Sequence, residues 1–243
     1  MHIVEPTVLE VFVENTSLNN LRILHLSDLH INKKTNSEVL KLLVKQCNDL
    51  EVDFIALTGD IIDCKVKFIK EKLQILNSIS KSVYYISGNH DLFYGLSSLQ
   101  KVLSNFIFLD NQIKTIEFKG NSINIIGLSD RFSKFFGHKR DEKKIKNILK
   151  KSSPSIFLAH QPKDYKIAVN SQTELFLCGH THGGQIFPFH YLVRLVQPFL
   201  NGLFYVNKTA IYVNKGLGTW GIDYRYKAKA EMTILKLISK KVQ

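Results

Sequence analysis

Short apolar runs alternate along the chain with longer segments whose apolar residues recur every three or four positions. The first pattern predicts buried strands and the second amphipathic helices. Residues 7–13 (TVLEVFV) and 21–26 (LRILHL) read as strands separated by a turn over residues 15–20. Ser37 to Leu50 reads as a helix with Val39, Leu43, Cys47 and Leu50 on its inner stripe and Asn36 or Ser37 as its cap. Asp53 to Thr58 is the next strand. Lys65 to Ser80 is a second amphipathic helix, with Ile69, Leu73 and Leu76 inward, and Ser82 to Ser87 is a strand. Ser97 to Asn105 is a short helix. Residues 107–109, 113–118 and 122–127 are strands broken at Asn111 and Gly120-Asn121. Their close spacing suggests antiparallel pairing, so the sheet is not purely parallel. A Phe-rich loop over residues 131–138 precedes a basic helix, Asp141 to Lys151, and strands at 155–159 and 175–178 follow. Ile186 to Tyr205 is strongly apolar, but Pro188, Pro198 and Gly202 prevent a single helix. Strands at 209–213 and 231–238 close the series. No repeat, low-complexity tract or linker interrupts it, so one domain over residues 1–243 is expected.

The polar residues that matter follow the strands. After the second strand comes Asp28-x-His30, after the third Gly59-Asp60, and after the fourth Gly88-Asn89-His90-Asp91. His160 ends the strand at 155–159, and the run Cys178-Gly179-His180-Thr181-His182-Gly183-Gly184 ends the next. Two residues apart on an extended segment, Asp28 and His30 would face one side. A carboxylate beside an imidazole makes a ligand pair for a divalent ion. Taken alone, this pair reads more readily as a surface loop than as a ligand pair. Asn89 offers a neutral oxygen, His90 a titratable group, and Asp91 a partner that could orient His90, although Gly-Asn is also turn chemistry. His25, inside a strand, reads as structural, and Asp63 as a supporting or surface residue. In α/β sheets ligands gather beyond the carboxyl ends of the strands. Five loops bringing Asp, Asn or His to that edge point to a metal centre.

This ordered set resembles the calcineurin-like metallophosphoesterase family. All five of its blocks are present, in order, across residues 28–182. The resemblance implies an αββα fold of four layers, two stacked mixed sheets flanked by helices, with a dinuclear metal site at the strand ends. It implies that Asp28, His30 and His182 hold one metal, that Asn89, His160 and His180 hold the other, and that Asp60 bridges both. His90 would stand near the scissile phosphate with Asp91 behind it. The implied cofactors are two divalent ions, Mn foremost, with Fe or Zn also suited to a mixed oxygen and imidazole set. The implied reaction is hydrolysis of a phosphodiester or pyrophosphate bond by in-line attack of a metal-bridging hydroxide. GHTHGGQ at residues 179–185 and the glycines at 216–221 further resemble a bacterial branch related to UDP-2,3-diacylglucosamine hydrolases.

Composition narrows the partners. Hydrophobic residues make up 44% and charged ones 22%, as in a soluble globule, and no stretch is long and apolar enough to span a bilayer. The first thirteen residues lack the basic-then-apolar pattern of a secretion signal. Three cysteines without framework spacing favour a reducing compartment. A net charge of +12 favours anionic partners, yet the lysines lack the interleaved aromatics of a nucleic-acid platform. Together with the apolar stretch at 186–205, this suggests an acylated or lipid-linked phosphoester substrate. The chain would then be cytoplasmic and peripheral to an anionic inner membrane face. That stretch would serve equally as core or as a dimer contact. A soluble nucleotide or general phosphodiesterase is the second reading. A non-catalytic metal-binding scaffold is the third, and the presence of His90 counts against it.

Overall fold

The computed structural model describes residues 3–151 and 154–239. In chain order its strands begin with β1 (Thr7–Val13), β2 (Arg22–Leu26), β3 (Phe54–Leu57), β4 (Val83–Tyr85), β5 (Ile107–Phe108) and β6 (Gln112–Phe118). They continue with β7 (Asn121–Leu128), β8 (Ser155–Ala159), β9 (Leu175–Cys178), β10 (Gly202–Val206), β11 (Thr209–Val213) and β12 (Thr233–Ser239). The helices are α1 (Ser37–Asp49), α2 (Lys70–Leu76), α3 (Asn89–Tyr94), α4 (Leu96–Val102), α5 (Glu142–Leu149), α6 (Tyr165–Asn170) and α7 (His190–Val196).

The strands form two six-stranded sheets, ordered β1-β12-β2-β3-β4-β5 and β10-β11-β9-β8-β7-β6. Alternation along each strand explains why both faces are apolar. Ile23, Phe54, Ala56, Leu158, Leu177 and Tyr212 share one buried cluster to which both sheets contribute. Their neighbours Leu24, Ile55 and Leu57 turn the other way and pack with Leu40, Leu43 and Cys47 of α1 and Leu73 and Leu76 of α2. On the second sheet, Phe157, Phe176 and Ile211 pack against Ile145 and Leu149 of α5 and Ala168 of α6. The layers are therefore helix, sheet, sheet, helix, as the family resemblance implies. Strands β2, β3, β4 and β5 run parallel, and so do β7, β8, β9 and β11. Each parallel set sends all its carboxyl ends to one edge.

Local details depart from the sequence pattern. The buried stripe of α1 is Leu40, Leu43, Val44 and Cys47, one step away from Val39 and Leu50. Asn36 caps it by accepting from Glu38 N at 2.9 Å. The segment after Lys65 opens as a 3-10 turn and becomes α-helical only at Lys70, although Ile69, Leu73 and Leu76 are buried as expected. β5 pairs parallel with β4 in the first sheet. The mid-chain antiparallel pairing is thus the β6–β7 hairpin alone. Helix α7 lies inside the apolar stretch at 186–205 and has no buried residue, so that turn of the stretch is not core. No helix among the described residues is long and apolar enough to cross a membrane.

Candidate metal centre

The parallel strands of both sheets deliver the polar residues to one place. Asp28 and His30 follow β2, Asp60 follows β3, and Asn89 and His90 open α3 after β4. His160 follows β8, and His180 and His182 follow β9. The backbone there is not extended. Asp28, His30, Asp60, His180 and His182 all take positive φ, between 46° and 70°. The pleat alternation expected for Asp28 and His30 therefore does not operate; left-handed turns aim both side chains. Each such residue costs about 1–2 kcal/mol. Cross-loop hydrogen bonds hold the turns in place: Asp28 N donates to Gly59 O at 3.0 Å, His30 N to Asp60 O at 3.0 Å, and Gly179 N to His160 O at 3.0 Å.

Two glycines make the approach possible. A Cβ at Gly88 would overlap the Asp60 carboxylate, and one at Gly179 would overlap Ser27 Oγ and Asp28 Oδ2. Gly179→Ala is therefore expected to push Asp28 out of line. Overpacking of this kind costs about 1–3 kcal/mol, which thermal denaturation would register as a lower Tm. An unchanged Tm would mean that the Asp28 loop yields freely.

The nitrogen and carboxylate atoms converge tightly. His30 Nε2 and His182 Nε2 stand 3.0 Å apart, and Asp28 Oδ1 is 3.9 and 3.3 Å from them. His180 Nδ1 and His160 Nε2 stand 3.1 Å apart. Between the two groups, Asp60 Oδ2 is 3.2 Å from His160 Nε2 and 3.7 Å from His30 Nε2. The buried Asn89 Oδ1 meets no hydrogen-bond donor among the described residues. Six of the seven side chains named as ligands are thus brought together, and the seventh, Asn89, lines the same cleft as Asp60, His180 and His182.

The electrostatics suit cations. Burial pushes the Asp28 and Asp60 carboxyls up, but His182 beside the first and His160 beside the second outweigh it, and both lie well below the usual carboxylate range. Burial lowers His160, yet the Asp60 charge wins and raises it well above an ordinary imidazole. Burial brings His180 down to about 3, helped by His160, and His182 down to about 4 despite Asp28. At neutral pH these last two are neutral donors. Nitrogens facing nitrogens, ionised buried carboxylates and an orphaned amide oxygen form a donor set that fits divalent metal.

His90 is held differently from expectation. Its Nδ1 lies 2.7 Å from Asp63 Oδ1, and its backbone N donates to Asp60 Oδ1 at 2.8 Å. Asp63 Oδ1 is also 3.8 Å from His30 Nδ1. Asp91 does not stand behind His90. Its Oδ1 accepts from Ile61 N and Ile62 N at 2.8 and 3.1 Å, and its Oδ2 from Gly88 N at 2.9 Å. Asp91 is the side-chain partner at the start of α3, so Gly88 to Asp91 is a helix start rather than a turn. Burial, with the Asp60 charge, lifts Asp91 to about 7. Burial lowers His90, but the hydrogen bond to Asp63 and the charges of Asp60 and Asp63 more than offset it, so His90 is raised.

Two further residues support the site: Gln185, which ends the GHTHGGQ run but whose side chain the resemblance leaves without a role, and Arg225, which lies in no motif. Gln185 ties the loop after β9 to the segment after β11: its Nε2 donates to Trp220 O and Ile222 O, and its Oε1 accepts from Trp220 N. Arg225 is half-buried, donates to Lys215 O at 2.8 Å and Ala228 O at 3.1 Å, and places Nη2 3.1 Å from His182 Nδ1. It sits in a tyrosine- and lysine-rich stretch that resembles ordinary surface. Buried His25 places Nε2 2.9 Å from Thr58 Oγ1, in the structural role its strand position suggests.

Comparison with known proteins fits this geometry. The model for the calcineurin-like phosphoesterase family matches residues 21–184, a span that contains every candidate ligand residue above. The chain belongs to this family. It is 35% identical over 231 residues to an uncharacterized metallophosphoesterase of Helicobacter pylori strain J99, covering 90% of the chain and 60% of that protein. It is 32% identical to a Danio rerio transmembrane protein with a metallophosphoesterase domain, covering 91% of the chain and 54% of that protein. The chain thus spans little more than half the length of these relatives. The Haemophilus influenzae NAD nucleotidase structure shares the fold at a TM-score of 0.56 and 19% identity, over 81% of the chain and 50% of that structure.

Proposed function

We propose that the chain is a dinuclear metal-dependent phosphoesterase that hydrolyses a phosphodiester or pyrophosphate bond. Asp28, His30 and His182 would hold one cation, Asn89, His160 and His180 the other, and Asp60 would serve both. The observation that carries this reading is the position of Asp60 Oδ2, within 4 Å of one imidazole from each group. Bound there, the cations would supply Lewis acidity and acidify a water towards neutrality. The chain's own residues do the rest. Asp63 would accept from His90 Nδ1–H, so that Nε2 of this cleft-lining ring could serve the substrate. The raised pKa of His90 favours its protonated form, which can donate to the leaving oxygen. Neutral His180 and His182 keep lone pairs available at neutral pH. Because both sheets contribute ligands, residues 1–243 are read as one domain. Mn is the proposed metal pair, with Fe or Zn as substitutes compatible with the same donors.

The proposed substrate is acylated or lipid-linked, of the kind represented by UDP-2,3-diacylglucosamine, met at an anionic inner membrane face. Exposed apolar residues on α7, among them Leu192, Leu195 and Val196, support this, as does the net charge of +12. The test is a panel containing bis-p-nitrophenyl phosphate, a nucleotide sugar pyrophosphate and its acylated form. It is run with added Mn, with the Asp60→Asn variant as the blank. Hydrolysis is expected from the loaded protein alone, fastest on the acylated compound. Full activity after exhaustive chelation would end the metal reading.

A further inference from the structure

Beside the metal cleft lies a second cavity of about 190 Å³, walled by Ile186, Phe189, Val193, Trp220 and Ile222. The cleft itself, about 280 Å³ and carrying Asp60, Asn89 and His90, shares Thr181, Val193 and Trp220 with it. A molecule with its phosphate at the metal ligands therefore has a neighbouring compartment for whatever the phosphate is attached to.

The chemistry of that compartment is selective. No charged side chain lines it, the Thr181 and Gln185 side chains that do are already bonded, and Trp220 adds only its indole N–H. Thr181 Oγ1 donates to Leu200 O. Gln185 Nε2 donates to Trp220 O at 2.9 Å and Ile222 O at 3.1 Å, while Gln185 Oε1 accepts from Trp220 N at 3.0 Å. A nucleobase or sugar placed here would lose water and leave its donors and acceptors unmatched. A hydrocarbon chain brings none to match. The apolar wall itself reaches solvent, with Ile222 67% and Phe189 56% exposed, so a chain longer than the cavity leaves it past apolar side chains.

We infer that this cavity is an alkyl subsite that takes the hydrocarbon chain of an amphiphilic phosphoester. The phosphate half of the inference rests on the phosphoesterase reading; the chain half stands on the cavity. Each methylene buried strengthens binding about fourfold, so a few suffice to set specificity.

Trp220 is the chain's single tryptophan and lines the cavity, so its emission reports occupancy. Mn-loaded protein is titrated with octyl phosphate and with methyl phosphate, both below micelle-forming concentrations. Octyl phosphate is expected to shift the emission and to bind at least about tenfold more tightly. Val193→Phe, which fills the cavity, and Ile222→Glu, which charges an exposed wall position, are each expected to bring that ratio below about threefold. The ratio is taken within each variant, so general loss of folding lowers both terms. Equal affinities for the two phosphates would overturn the subsite. So would adenosine monophosphate shifting Trp220 as strongly as octyl phosphate does. Methyl and octyl p-nitrophenyl phosphodiesters separate this from the reaction. Equal kcat/KM for both removes the subsite and keeps the phosphoesterase. Octyl phosphate bound at Trp220 with neither ester cleaved keeps the subsite and removes the reaction.

Discussion

Asp60→Asn is expected to strip both cations from the centre together and to lower kcat/KM by about 10³-fold or more. The substitution keeps the shape of the side chain, so the argument turns on which oxygen becomes the amide nitrogen. Asp60 Oδ1 accepts from His90 N at 2.8 Å, and an oxygen must stay there. The NH₂ group then occupies the Oδ2 position, 3.2 Å from His160 Nε2 and 3.7 Å from His30 Nε2. A donor would point at the spot where a shared ligand needs a lone pair. The negative charge that offsets two cations is lost as well. Lewis-acid stabilisation contributes several kcal/mol to such reactions, and each 1.36 kcal/mol is a factor of ten in rate. Metal analysis and steady-state kinetics on the purified variant check both halves. A variant that loses one ion and retains the other would show that Asp60 belongs to a single site.

The candidate residues could be picked out of the sequence because each follows a short apolar run, and the parallel strands of each sheet send those ends to one edge; their division between two metals rests on the family resemblance. Asp28, Asp60, His160 and His180 needed no knowledge of packing to be found. Asp63 was harder. It lies three residues beyond Asp60 in the same loop, past a left-handed turn at Asp60 with φ of 53°, and its carboxylate meets the His90 ring from another loop. Asp91 misled for the opposite reason. Adjacent to His90 in sequence, it turns away along α3, where its carboxylate takes the free N–H groups of Gly88, Ile61 and Ile62. The one-step error in the α1 stripe has a simpler cause: Val39 and Leu40 are both apolar, and only contact with the sheet decides which faces inward. Gln185 ends the GHTHGGQ run, but its role was hidden because its partners, Trp220 and Ile222, lie more than thirty residues away; Arg225 gave no local signal, since it meets backbone carbonyls of an irregular loop and the ring of His182.

His90→Ala and Asp63→Asn separate proton donation from metal holding. His90 contributes no atom to either proposed ligand triad, so its removal should leave metal content near that of the parent. Turnover should fall by about 10²–10⁴-fold, the usual worth of a positioned acid. Asp63→Asn leaves an amide oxygen that can still accept from His90 Nδ1–H, so its loss of turnover should be smaller. Its signature lies in the pH profile. The Asp63 carboxylate, held down to about 2 by its contacts with His30 and His90 despite burial, favours the protonated ring of His90. Without that charge the ring gives up its proton more readily. If protonated His90 is the acid, activity declines as pH rises through its pKa, and in Asp63→Asn that decline must begin at lower pH. Cations in the centre displace the limb in both proteins, so the difference between the two profiles is the quantity to read. Identical profiles would detach Asp63 from the acid, and a His90→Ala protein that had lost its metals would return His90 to the ligand set.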